Sequence, residues 1–155
     1  MTVSMITGLI SLLNLFCTGI LAGEEITIRY GVRGPLASLD DRPHIQLRQA
    51  LIRTLRILVP AIFAAVLLSA VAVTLLEGLG PGFGWRCAQV LALLMFIGLT
   101  LSGTVPINEA ALDWNPAAPP ANWRTLITRW ERLDSVRCWL AVTAFALSVA
   151  GMALG

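Results

Sequence analysis

The sequence predicts an all-α fold. The expected architecture is a four-helix transmembrane bundle, up-down-up-down, with both termini outside and amphipathic helical extensions in two cytoplasmic connections. Three observations predict it. The 155 residues are 57% hydrophobic and only 13% charged, with a mean hydropathy of +0.79, whereas soluble domains carry roughly 25% charged residues. Four apolar runs, at about 5–23, 57–76, 87–107 and 138–154, approach the roughly 20 residues that a bilayer-crossing helix needs. All 11 basic residues are arginines, and all but Arg86 fall in the connections 24–56 and 108–137. The positive-inside rule then puts both long connections in the cytoplasm. The expectation is one integral membrane domain over 1–155, in a bacterial inner membrane.

The same arithmetic excludes several classes. A scattered net charge of +2 gives no footprint for nucleic acid. Cys17, Cys87 and Cys138 are odd in number and far apart, which excludes a disulfide scaffold. The hydrophobicity excludes disorder. The first 23 residues hold no basic residue, so a cleaved signal peptide is not expected.

The first run carries the clearest local pattern. Ser4, Thr7, Ser11, Asn14, Thr18, Ala22, Glu25 and Arg29 follow steps of three and four. At about 100° per residue they occupy an arc of roughly 80° on one helix face. So narrow a polar stripe should face the other helices or a hydrated cavity. Glu25 continues the stripe, while Glu24 is expected on nearly the opposite side. Ser11, Asn14 and Thr18 serve equally well as glue between helices, and Gly19 and Gly23 fit a close-packing G-x-x-x-G. Cys17 reads as a small buried hydrophobe.

In the first long connection, Leu47, Leu51 and Leu55 recur at i, i+4 and i+8, so an amphipathic helix from His44 to Arg56 should lead into the second run. His44, the sole histidine, is expected as a solvated loop residue. Ala61, Ala65 and Ser69 read as helix-packing positions. Residues 77–86 form a Gly/Pro turn between adjacent helices. In the second long connection, Asn122 after Pro119-Pro120 is a candidate N-cap for a helix starting at Trp123. Trp123, Ile127, Trp130, Asp134 and Arg137 share one face of it. Asp134 and Arg137, at i and i+3, suit an ion pair.

Glu25, Arg29, Asn108, Glu109, Asp134 and Arg137 therefore gather at the cytoplasmic ends of the helices. Trp114, Trp123, Trp130 and Trp139 lie at the same level, where amphipathic rings serve as interfacial anchors. Two interpretations follow. One is a belt of anchors and Asp–Arg pairs that closes the bundle. The other is a pocket lined by aromatics and by a carboxylate with an arginine neighbour. No Cys/His constellation suggests zinc, no glycine-rich loop suggests a nucleotide, and a carboxylate-only metal site from Glu25, Glu109 and Asp134 stays open.

Pro106-x-Asn108, Trp114-Asn115-Pro116, Pro119-Pro120, Trp123, Leu126, Arg129-Trp130 and Arg137 resemble the signature of the anthrone-oxygenase-like family of small four-helix membrane proteins. The layout covers the whole chain and the motif covers residues 106–137. The resemblance implies oxidation of anthrones to anthraquinones with O2, without a metal or flavin. Such sequences carry a histidine between Arg-Trp and the final arginine, where this chain has Asp134. Glu25 falls where relatives carry an acid.

The expected function is thus a membrane oxygenase-like protein for a flat hydrophobic, phenol-like substrate, with no cofactor and a metal ion left open. Glu25 or Asp134 would abstract a proton, and Arg137 and Asn108 would stabilise the oxyanion. Trp123 and Trp130 would stack on the ring, with Asn14 and Thr18 also on the substrate side. The alternative is a non-catalytic bundle that binds a lipid or uses the stripe of the first helix as a partner or homo-oligomer interface. A glutathione-type trimeric enzyme is suggested by size and helix count alone.

Overall fold

Val3–Ile26 form α1, a run rich in leucine and isoleucine and free of proline, in the computed structural model, which describes residues 3–154. Met1, Thr2 and Gly155, at the ends of the expected domain, lie outside the described residues. The helix does not stop where the apolar run does. It continues through a π-helical stretch, Thr27–Val32, into α2, Arg33–Ala37. α3 spans Asp41–Glu77, α4 spans Phe83–Leu99, and a second π-helical stretch, Thr100–Thr104, links α4 to α5, Val105–Leu112. α6 spans Trp123–Ala153.

The two π-helical stretches have a common cause. Pro35 and Pro106 each lie just after one of them. Proline has no N–H, and its ring crowds the carbonyl four residues back. Those carbonyls belong to Gly31 and Ser102, inside the widened turns. Pro60 sits within α3 and removes one more backbone hydrogen bond there.

Among the described residues, four helical stretches are long and apolar enough to cross a membrane. Each helix touches two neighbours, so that α1, α3, α4 and α6 close a ring in chain order. α3 has 37 residues, about 55 Å at 1.5 Å per residue, against a hydrocarbon core of about 30 Å. It therefore reaches well beyond the bilayer, as the amphipathic pattern of residues 44–56 predicted. Between α3 and α4 the chain turns at Gly78 and Gly82, with φ of +60° and +82°, which a side chain would strain.

The packing is that of a membrane protein. Large apolar side chains point outward, with Leu75 at 75% and Leu68 at 71% exposure. The inner core is dominated by small residues, Ala22, Ala70, Ala92, Ala141 and Ala144, around Leu21, Val66 and Leu93, which lets helices approach closely. Phe63 and Phe96 stack across it at 5.4 Å. A second core at the arginine-rich end joins Ile45, Ile52, Ala111, Trp114, Trp123 and Ile127. Gln49 ties it down. Its Nε2 donates to the carbonyls of Ala111 and Trp114, both at 2.9 Å, and so satisfies backbone acceptors at the end of α5.

Several local expectations are corrected. Ala61 and Ala65 are exposed, so only Ser69 of that trio packs inward. Gly19 lies against Phe145, but Gly23 has no close neighbour. Cys17 is half-buried. Asn122 occupies the N-cap position of α6 but makes no capping bond with its side chain. Its φ/ψ of −95°/6° is not the extended backbone that capping geometry uses. Trp114 and Trp123 are core residues, and only Trp139 among the expected anchors is widely exposed.

Candidate functional site

A cavity of about 320 Å³ opens at the arginine-rich end, between α1 with its extension, α3, α5 and α6. All three helix-interrupting prolines border it or the turns beside it. Pro60 is in its wall, the first π-helical turn contributes Ile28 and Val32, and the second contributes Thr100 and Thr104. Loosened backbone thus makes the space. The α3 wall has an apolar stretch, Leu51, Ile52, Leu55 and Val59, beside Arg48 and Arg56, and Val105 and Leu112 continue the apolar surface from α5.

The opposite wall is ionic. Arg137 donates from Nη2 to Glu25 Oε1 at 2.5 Å and from Nη1 to Thr104 Oγ1 at 3.4 Å. Its guanidinium lies 4.7 Å from the Phe96 ring. Glu25 is 2% exposed, and its Oε2 has no hydrogen-bond partner among the described residues. Asp134 is 1% exposed and lies 3.8 Å from Arg33, which is itself bound to Glu131 at 3.2 Å and to Ser135 Oγ at 3.1 Å. The expected Asp134–Arg137 pair does not form. Arg137 turns to α1 and Asp134 to the extension of α1, because each residue's nearest opposite charge lies across a helix interface and not one turn away.

The structure brings together Glu25, Asn108, Trp130, Asp134 and Arg137 around this cavity, as the sequence proposed. It does not bring Asn14, Thr18 or Trp123 there. Asn14 and Thr18 belong to a polar cluster deeper in the bundle. Asn14 Nδ2 donates to Val66 O at 3.2 Å and Ser69 Oγ at 3.0 Å, and its Oδ1 accepts from Gln89 at 2.8 Å and Ser148 at 3.0 Å. Thr18 donates to the Asn14 carbonyl at 2.6 Å. Asn14 and Thr18 are therefore satisfied within the chain. Trp123 meets His44 edge-on at 5.2 Å and Trp114 at 6.3 Å. His44 is accordingly a buried helical residue, not a solvated loop residue.

Two residues outside the candidates drawn from the sequence line the cavity. Glu24 does so beside Glu25, because neighbouring positions on a helix are only about 100° apart and both can border one space. Arg48 lies on the buried face of α3, 5% exposed, with its guanidinium 4.8 Å over the Trp130 ring. Its spacing of four from the buried His44 and Ile52 is the signal the sequence offers, and reading His44 as a loop residue hides it. Among the described residues, no group of three or more His, Cys, Asp or Glu side chains has metal-binding geometry.

A family model described as Anthrone oxygenase matches residues 49–147. It takes in Asn108, Trp130, Asp134 and Arg137, while Glu25 and Arg48 precede it. No curated protein and no solved structure gives a significant match.

Proposed function

Because the chain belongs to the anthrone oxygenase family, we propose that this oxygenase-like membrane protein oxidises a flat, hydrophobic, anthrone-like substrate. The observation that carries this reading is the union of two surfaces in one cavity: an apolar wall on α3 and a buried carboxylate with an unpartnered oxygen opposite it. At about 320 Å³ the cavity sits at the lower end of the roughly 300–1,000 Å³ typical of small-molecule pockets.

In the proposed reaction Glu25 Oε2, with Asp134 as the alternative base, takes a proton from the acidic methylene of the ring system. The carbanion transfers its electrons to O2 and forms a carbon–oxygen bond, giving a peroxide. The peroxide takes up a proton and loses water, which leaves a second ring carbonyl. Substrate and O2 thus become quinone and water. Arg137 fixes the other oxygen of Glu25. Arg137 and Asn108 stabilise the oxyanion on the existing carbonyl as the proton leaves, and Trp130 lies against the ring. No organic cofactor is invoked.

The substrate enters from the leaflet nearer the arginine-rich end, which we place on the cytoplasmic side of a bacterial inner membrane. The test is O2 consumption by the purified protein with an anthrone-like substrate. Losing a general base should lower turnover by roughly 10²- to 10⁴-fold, so Glu25→Gln should fall in that range. If Glu25→Gln and Asp134→Asn both turn over at the wild-type rate, the proposed chemistry is wrong.

A further inference from the structure

One buried guanidinium in the wall of the cavity has no carboxylate bound to it. Of the buried or half-buried guanidiniums that line it, Arg137 is bound to Glu25 and Arg33 to Glu131 and Asp134. Arg48 has no ion pair and no hydrogen bond among the described residues, although it is 5% exposed. Its Nε is fully shielded and unpartnered. Trp130 covers one face of the guanidinium at 4.8 Å, a favourable contact that leaves the N–H groups on the edge free to donate. The Nε1 of Trp130 is also buried without a partner. Burying a guanidinium without a counter-ion is costly. A fold tolerates it where a ligand brings the missing charge.

We propose that Arg48, with the indole N–H of Trp130, forms an anion subsite for a carboxylate on the flat aromatic ligand. This rests on the reading of the cavity as a site for such a ligand and names the polar substituent that the ligand carries. The planar edge of arginine matches a carboxylate with two parallel N–H donors. The surroundings favour an aromatic acid over a lipid headgroup. Leu51, Ile52, Leu55 and Leu112 wall the same space and fit rings, whereas a headgroup would keep its water.

The test is a fluorescence titration of the protein in phosphatidylcholine nanodiscs with anthracene-2-carboxylate and with anthracene-2-carboxamide, its neutral counterpart. Neither probe has an acidic methylene, so binding is read apart from oxidation. The wild type should favour the carboxylate by roughly ten- to hundredfold, as for a charge-assisted hydrogen bond. Arg48→Gln should bind both probes alike at the amide's affinity, and Arg48→Lys should keep a reduced preference. Equal affinities in the wild type, a comparison that needs no variant, would overturn the subsite, as would a preference that survives in Arg48→Gln. Displacement of the carboxylate by added phosphatidylglycerol in the wild type alone would make Arg48 a headgroup site and overturn it too. Failure here with anthrone turnover intact removes only the subsite. Probe discrimination without turnover removes only the oxygenase reading.

Discussion

Replacing Asn14 by alanine should weaken the bundle without emptying the cavity of its ligand. One asparagine amide on α1 is bonded to Val66 and Ser69 of α3, to Gln89 of α4 and to Ser148 of α6, so it is a single point at which all four long helices meet. Hydrogen bonds between membrane helices average about 0.6 kcal/mol each, and four of them come to roughly 2.4 kcal/mol. That corresponds to about a fiftyfold fall in the folded-to-unfolded ratio. The remaining partners cushion the loss unequally. Ser69 still donates to Ala65 O at 2.6 Å and Gln89 still reaches Thr18 at 3.4 Å, whereas the Ser148 hydroxyl has no other acceptor among the described residues. The assay is reversible unfolding in mixed detergent and SDS micelles, followed by circular dichroism. Aromatic-probe affinity would be measured on the folded fraction. A loss below about 0.5 kcal/mol, less than one average bond, would refute the pinning role. A fall in affinity with stability unchanged would return Asn14 to the binding site.

Arg137→Leu leaves Glu25 buried and unpaired, and should cost about 3–5 kcal/mol; in the same unfolding assay the double variant Glu25→Gln/Arg137→Met should recover most of it. At Gly103 an added Cβ would stand 2.8 Å from Leu133 Cδ1. Gly103→Val should therefore cost about 1–3 kcal/mol through overpacking, while Gly103→Ala, which needs only the end of Leu133 to shift, should cost less in thermal unfolding. Ser38 is exposed at the arginine-rich end. A cysteine there, Ser38→Cys, should escape a membrane-impermeant maleimide in intact cells and react once the cells are opened; labelling before permeabilisation would reverse the assigned orientation.

The parts of this molecule legible in the sequence are those fixed within one helix. Apolar runs mark the membrane helices because lipid demands them, and steps of three and four mark the buried face of α1 and the Trp123–Arg137 face of α6. What one helix cannot encode is its rotation and height against another. Arg137 is one turn from Asp134 in sequence, yet its partner is Glu25, and that choice depends on how α1 and α6 sit side by side. Gln89 in α4 shows no pattern because its partners, Asn14 and Thr18, lie on another helix, α1, the first of them 75 residues away. The prolines were visible as letters. Their effect, a widened turn that lets a cavity form, appears only when three of them are seen on helices facing one space.

The two π-helical turns also bear on how such a chain can change. A π turn is an α-helix with one residue too many, and neighbouring positions on a helix are about 100° apart. Deleting one residue within 27–32 would let the helix relax to regular geometry while Arg33 and Leu36 kept their direction, because the widened turn is what absorbs the extra residue. The same deletion within 100–104 would leave Asn108 facing the cavity and remove part of the turn that brings Thr100 and Thr104 into its wall. Single-residue deletions at these two places, tolerated elsewhere only in loops, would change the turns that line the cavity, at Ile28 and Val32 or at Thr100 and Thr104, while the faces of the flanking helices stayed as they are. The reshaping of ligand preference in proteins built this way need not wait for substitutions in the wall itself.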